Sequence, residues 1–522
     1  MTSQAATLVE VWRACRNLGD KPLLVCDEDR LSYRDAEIRS AALAHRLIGL
    51  GAGKGTHVGL WYPNGSGFVV AMLAAARIGA VVVPFSTFAT GTELRAQLRA
   101  ADVAIMLSTR AFRGHDYIER MSAALDLPAA EFGSDTPMFT SAAPVLRWAL
   151  FDADADPTTP RCDHTRLAGL EDDVDAADRL AIIYTSGSTG APKGAVHTHG
   201  ALVTHQQNLN EIRGLDGSDV LFCNSPFFWI GGFAFGLLAT LTAGATLACS
   251  NAEDAGATLD LIEAEKPTMT NGFVSSVARL TEHPSYPRRV FTATRGNLYP
   301  IMAASARPAD AGLRHGMLGM TEAGSVVLLS GDETDQPEHR RGSFGRPAPG
   351  METRIVDPAT TAPVPAGAVG ELWLRGPFLM QHYYGRSREE CFDADGWLHT
   401  GDLVRTDDDG FFYFVARAGA MIKTAGANVT PGEVEAALSR LLPAAEVHVV
   451  GLPDPQRGEI VAAVVAFDDA PEFDEDAVRT ALRRELSAYK VPRRFTVCRR
   501  ADLPLLASGK VDLSAVKAMF DG

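Results

Sequence analysis

The sequence predicts an α/β protein whose large N-terminal part is built of parallel-sheet αβ subdomains and whose last hundred residues form a smaller αβ module. Three observations predict it. Helical and strand-like patterns alternate through the first 180 residues. The strand-like pieces are short, uninterrupted apolar runs, as expected of strands covered on both faces. At 522 residues the chain exceeds what one hydrophobic core sustains, so two or more domains are expected.

Ser32 to Leu50 places Ala36, Ile38, Ala41, Leu43, Ala44, Leu47 and Ile48 at near-helical spacing, and Gly51 to Gly55 breaks the pattern before the strand-like Val58 to Tyr62. Phe68 to Ile78 reads as a helix and Ala80 to Pro84 as a buried strand. This repeated order argues a parallel, doubly covered sheet. Asp152 to Asp178, rich in Asp, Ala and Thr, reads as an exposed connector. Phe227 to Cys249 is uncharged and long enough to span a bilayer. Its four glycines, with Ala243-Gly244 as a break, make it a buried helix, turn and strand instead.

A net charge of −15 without basic runs argues against nucleic-acid or anionic-membrane partners, so any site for a polyanion has to be built locally. Seven scattered cysteines with no CxxC pair argue against a disulfide framework or a zinc site and fit a cytoplasmic location. Glu10 and Arg13 interrupt the N-terminus, which does not read as a secretory signal. Monomer and homodimer both stay open.

Chemistry concentrates at Ala181 to Gly194, AIIYTSGSTGAPKG. A buried strand, Leu180 to Tyr184, runs into a loop of small residues. There backbone N–H groups can approach an anion, Thr185, Ser186, Ser188 and Thr189 add hydroxyls, Gly187 and Gly190 add freedom, and Lys193 adds a positive charge. That set suits a polyphosphate. It is not the P-loop of nucleoside triphosphatases, because Lys193 follows Pro192 and precedes Gly194.

The whole string resembles the phosphate-binding signature of the acyl-adenylate-forming superfamily, the acyl-CoA synthetases and AMP-dependent CoA ligases. LSYRDA, YPNG, IGAVVVPF, LGMTEAG, DGWLHTGDLV, YKVPRRF and LPLLASGKVD match in the same order, from about residue 30 to 515. The resemblance implies an N-terminal adenylate-forming domain over residues 1–416 with a small β-subdomain, a hinge at 417–419 centred on Gly419, and a mobile α+β C-terminal domain over 420–522. It implies ATP, Mg²⁺ and CoA as cofactor and co-substrates, with a small carboxylic acid converted to acyl-AMP and then to a thioester. Acceptors other than CoA, and a non-catalytic nucleotide-binding role, are the alternatives. The C-terminal end soon after Lys510 implies a stand-alone enzyme.

Site residues follow position by position. Thr185 to Gly190 and Lys193 would hold phosphates. Gly296 and Asn297, in a segment poorer in small residues than usual, would meet adenine together with Leu318, Gly319 and Met320. Thr321 would bond a phosphate, Glu322 would ligate Mg²⁺, and Asp402 would accept both ribose hydroxyls. Arg417 would reach ribose or phosphate, Lys510 would serve adenylation, and Lys423, Gly426 and Ala427 would approach CoA. In SPFFWIGGF (225–233), aromatics beside a glycine pair suit either a pocket or plain core; the resemblance implies an acyl wall of Phe228, Trp229, Gly231, Gly232 and Gly319. Phe228 stands where amino-acid-activating relatives carry Asp, so a cationic substrate group would lack a partner in a dry site. An apolar acyl or aryl acid is expected.

Overall fold

The computed structural model describes residues 5–133, 136–153, 164–185, 193–273, 277–417, 421–468, 473–504 and 511–520. The chain divides into two compact units: residues 1–87, 98–184 and 194–416 in the first, and 88–97, 185–193 and 417–522 in the second.

Two six-stranded sheets build the first unit. One runs, in spatial order, Arg295–Gly296, Met269–Asn271, Val220–Cys223, Thr246–Cys249, Pro22–Cys26 and Asp29–Ser32. It is parallel except at the Pro22–Cys26/Asp29–Ser32 hairpin. The other runs Lys193–Thr198, Arg179–Thr185, Val81–Pro84, His57–Trp61, Ile105–Ser108 and Trp148–Phe151. The helix expected after Ser32 spans Tyr33–Gly49, and the Ser32 hydroxyl caps it by accepting from Asp35 N. Helix Ser66–Arg77 is apolar nearly all round, so it can be stable only when covered on every side; from Phe68 onward each of its residues is buried. It packs on strands His57–Trp61 and Val81–Pro84 and on helix Tyr33–Gly49.

One expectation fails. Within the supposed connector, His164–Asp172 is a helix with Leu167 and Glu171 buried. Leu167 and Leu170 pack on the apolar core, and charge docks the helix as well. The Glu171 carboxylate accepts from Arg77 Nε at 2.6 Å, Arg16 Nη2 at 2.9 Å and Arg13 Nε at 3.3 Å. Burial alone would raise its pKa, but Arg77 and Arg16 together hold it below the usual carboxylate range.

The 227–249 stretch is a buried helix, turn and strand. Gly231–Leu238 is π-helical and runs on as α-helix Ala239–Ala243; Gly244, at φ +66°, ends it before strand Thr246–Cys249. Among the described residues no helix is long and apolar enough to cross a membrane. Smaller sheets of this unit are Leu318–Met320, Ser325–Leu329 and Arg346–Pro347; Glu352–Val356, Gly370–Arg375, Leu398–Thr406 and Phe412–Arg417; and the hairpin Ala111–Phe112/His115–Asp116.

In the second unit, strands Ala427–Val429, Ile422–Thr424, Gly458–Phe467, Glu446–Asp454 and Arg494–Arg499 form one sheet. Helices Pro431–Leu441 and Glu475–Glu485 cover it through Val434, Leu438 and Leu482. Lys490 Nζ lies 2.7 Å from both Glu93 Oε1 and Glu433 Oε1. The triad ties residues 88–97 into this unit.

Removing the buried Glu171 acceptor strips Arg77 of its shortest ion pair and leaves Arg13, Arg16 and Arg77 only Asp172 and Glu37 as acidic partners among the described residues. Glu171→Ala is therefore expected to lower unfolding stability by about 3–5 kcal/mol, read from urea denaturation. A loss under about 1 kcal/mol, the range of exposed ion pairs, would show that the Arg13–Arg16–Arg77 cluster does not dock the helix.

Candidate active site

The expected phosphate loop is described only at its two ends. Thr185 closes strand Arg179–Thr185 and Lys193 opens strand Lys193–Thr198, with Thr185 Oγ1 at 3.5 Å from Lys193 O. Ser186, Gly187, Ser188, Thr189 and Gly190 lie outside the described residues. Gly194 is needed where it stands: a Cβ there would come within 2.6 Å of Ile182 Cγ2 and 2.8 Å of the Tyr184 ring.

The Thr321–Glu322 turn is the best-supported piece of the site. Residues Thr321–Ala323 form one 3₁₀ turn between strands Leu318–Met320 and Ser325–Leu329, and Gly324 at φ +66° ends it. Its carbonyls are held from three directions. His197 Nε2 lies 2.8 Å from Thr321 O, Met380 N donates to Glu322 O at 2.7 Å, and Gln206 Nε2 donates to Gly324 O at 3.3 Å. On the side chain, Tyr383 O–H donates to Glu322 Oε1 at 2.7 Å. His197 is fully buried and burial pushes its pKa down to about 4, so it is neutral at pH 7; a carbonyl partner at Nε2 places the proton there. His205, likewise lowered to about 4 by burial, holds Val326 O in the same way at 2.9 Å and stacks on Phe378.

Strand Lys193–Thr198 organises this turn. Residues 381–384 run beside it through Gln381 N to Val196 O (2.8 Å), Val196 N to His382 O (3.1 Å) and Tyr384 N to Gly194 O (2.7 Å), with Tyr383 opposite Ala195. The strand that leaves the loop thus contacts the Thr-Glu turn directly, through His197, and indirectly, through Met380 and Tyr383. None of these three contacts was legible in the sequence, since partners more than 50 residues apart leave no local pattern.

Glu322 offers a half-buried carboxylate with one oxygen engaged. Among the described residues no cluster of three or more His, Cys, Asp or Glu forms a metal cage. A single hard carboxylate suits Mg²⁺, which commonly binds through one or two carboxylates plus substrate phosphates and keeps several waters.

Asp402 sits in strand Leu398–Thr406 and is 4 % exposed. The strand bulges beside it: Gly401 adopts φ +72°, Gly401 N donates to Glu371 Oε1 and Asp402 N to Thr400 Oγ1. Leu318 is buried, whereas Gly319 is exposed and Met320 half-buried. Gly319 has a backbone reason to be glycine, because a Cβ would lie 2.7 Å from Ser325 O. Gly296 does too: its Cβ would fall 1.9 Å from Thr270 O, and its N–H donates to the Glu333 carboxylate at 3.0 Å. Asn297 spends both amide ends on the backbone of Gly272, at 3.1 and 2.7 Å. Gly296 thus packs against Thr270, and Asn297 fixes Gly272, the residue before Phe273.

Phe228 is buried, while Trp229 and Gly231 are half-buried. The Trp229 ring meets Phe228 edge-on at 5.3 Å and Phe273 at 6.4 Å and 89°. The two glycines differ. A Cβ on Gly231 would meet only Ser225 Oγ, at 3.9 Å; one on Gly232 would lie 2.1 Å from Pro226 O. Gly231 faces open space and Gly232 is a packing residue.

In the second unit Lys423 and Ala427 flank the hairpin turn at Ala425 (φ +49°) and Gly426 (φ +82°); Lys423 is exposed and Ala427 buried. Arg417 ends strand Phe412–Arg417. Gly419 and Lys510 lie outside the described residues.

The chain is 31% identical over 535 residues to a methyl-dioxo-octahydroindenyl-propanoyl:CoA ligase of Rhodococcus jostii, covering 98% of both chains. It is 30% identical over 501 residues to a feruloyl-CoA synthase of an Amycolatopsis species, covering 94% of each. Among solved structures, the amide bond synthetase McbA from Marinactinospora thermotolerans superposes with a TM-score of 0.77 at 25% identity, over 98% of this chain and 99% of that one. The fold and site define an adenylate-forming enzyme. Residues 11–384 match the model of the AMP-binding enzyme family and residues 433–510 that of the AMP-binding enzyme C-terminal domain, and the chain belongs to this family.

The glycine pair gives a test. Gly231→Ala is expected to fold as the parent does and to change which acids are accepted, whereas Gly232→Ala, whose methyl meets backbone, should lower the thermal midpoint by several degrees. Equal melting of the two variants would contradict the assignment of Gly231 to open space.

Proposed function

We propose that this protein is an ATP-dependent, AMP-forming acid–CoA ligase acting on an apolar carboxylic acid, fatty, alicyclic or aryl. The observation that carries the reading is the Thr321–Glu322 turn, held on four sides beside the strand that leaves the phosphate-loop string. A carboxylate is a poor electrophile, and the reaction makes it one by exchanging oxide for AMP. A substrate carboxylate oxygen attacks the ATP α-phosphorus. The bond to the pyrophosphate oxygen breaks, giving acyl-AMP and pyrophosphate. The CoA thiol then loses its proton and attacks the acyl carbon, expelling AMP.

The chain's own contribution is positioning and charge. Thr185 to Gly190, Lys193 and Thr321 cradle phosphate oxygens, and Asp402 accepts from the ribose hydroxyls. Leu318 to Met320 lie against the base. Mg²⁺, held by Glu322, would supply neutralisation of phosphate charge. Lys510 stabilises the negative charge that grows at the α-phosphorus. Trp229, Phe273 and Gly231 give the acid an apolar wall with no carboxylate to pair an ammonium. That fits the acids named for the feruloyl- and indenyl-propanoyl-activating relatives. Thiolation follows a rotation of residues 420–522 about 417–419, which removes Lys510 and brings Lys423, Gly426 and Ala427 toward CoA.

A panel of carboxylic acids in a pyrophosphate-release assay, with and without CoA, tests the reading. CoA-accelerated AMP release with an apolar acid is expected. AMP release that CoA leaves unchanged would move the acceptor to an amine or a carrier. Lys510→Ala should cost adenylation roughly 10²–10³-fold, by analogy with loss of one preorganised donor, while thioester formation from supplied acyl-AMP persists. Equal loss of both half-reactions would contradict the two-conformation cycle.

A further inference from the structure

We propose that Tyr383 is a positioning residue for Glu322, fixing the carboxylate for the divalent cation that accompanies the nucleotide; this rests on the function proposed above. The phenol O–H donates to Oε1 at 2.7 Å, a hydrogen bond to an ionised acceptor and so stronger than a neutral one. It engages one carboxylate oxygen and leaves Oε2 without a protein partner among the described residues.

Tyr383 is itself held from the backbone up. It lies opposite Ala195 in an antiparallel bridge, its N–H donates to Cys391 Sγ at 3.3 Å, and the bonds of Gln381 and Tyr384 to Val196 and Gly194 fix the residues around it. Its hydroxyl is not needed to dock this segment on the turn, because Met380 N already donates to Glu322 O at 2.7 Å. What the hydroxyl adds is control of the Glu322 side chain. His197 and Gln206 fix the carbonyls of the same turn, at Thr321 and Gly324. Backbone and carboxylate of the Thr-Glu pair are thus set by separate groups, and among the described residues only Tyr383 acts on the carboxylate.

Partners that orient a metal ligand typically change metal affinity by about 10–100-fold when removed. The test uses the full chain as parent, Tyr383→Phe, Glu322→Gln and the double variant. Pyrophosphate release is followed against Mg²⁺ concentration at fixed ATP and acid. Mn²⁺ binding in the presence of α,β-methylene-ATP is measured by electron paramagnetic resonance, with thermal melting alongside. For Tyr383→Phe the expected result is a metal requirement raised about tenfold, a kcat at saturating Mg²⁺ that falls far less, and weaker Mn²⁺ binding at an unchanged melting midpoint. In the Glu322→Gln background the same substitution should change Mn²⁺ binding little, because its effect passes through the carboxylate. Unchanged metal dependence in Tyr383→Phe overturns the inference. So does a loss of kcat with metal affinity intact, or an equal effect with and without Glu322; if Tyr383→Phe melts early, that last comparison of Mn²⁺ binding decides. A parent that shows neither pyrophosphate release nor nucleotide-dependent Mn²⁺ binding overturns this inference together with the function on which it rests.

Discussion

The pairing of strand Lys193–Thr198 with residues 380–384 is the constraint on which the site depends. Three backbone hydrogen bonds make it, at Gly194, Val196 and Gln381. Through it a strand that begins at the loop lysine reaches a turn more than 120 residues later, by way of His197 on one side and Tyr383 on the other. The arrangement requires a neutral His197, and its complete burial provides one by pushing the imidazole pKa down to about 4. It also requires Gly194, because any side chain there would strike Ile182 and Tyr184 and push the strands apart.

A chain of net charge −15 binding a tetra-anionic nucleotide and an anionic acid works against its own field. Its solution is local. Lys193 and Lys510 carry charge at the ends of two contiguous strings in the sequence, while many other cations are committed to structural pairs. Arg13, Arg16 and Arg77 converge on Glu171, Arg295 pairs with Asp219, and Lys490 is shared by Glu93 and Glu433. The shared lysine lowers both of its carboxylates, yet their net shifts run in opposite directions. Burial raises both, yet Lys490, Ser487 and Thr90 together hold Glu93 below the usual range, whereas Glu433, with fewer donors and Glu93 nearby, stays above it.

Much of the fold was legible because its elements are local. The helix that follows Ser32, the apolar run of Val81–Pro84, and the break at Gly244 each depend on residues within one element. The strand and turn of the Thr-Glu string were legible for the same reason, as one contiguous string. What stayed hidden depends on distance in sequence. Helix His164–Asp172 has little apolar periodicity and is docked in part by arginines about 90 to 160 residues away. Gly232, Gly296 and Gly319 are glycine because backbone from Pro226, Thr270 and Ser325 passes close by, which no pattern at those positions reveals. Only Gly231 of the pair in SPFFWIGGF faces open space.

The central claim is that the acid's own oxygen becomes bonded to the α-phosphorus of ATP. Incubating the protein with an acid labelled in both carboxylate oxygens with oxygen-18, ATP, Mg²⁺ and CoA, and weighing the released AMP by mass spectrometry, tests it most directly. The account predicts AMP heavier by one labelled oxygen, with unlabelled pyrophosphate. Label appearing in inorganic phosphate alongside ADP would contradict it, because the acid would then have been activated at the γ-phosphorus.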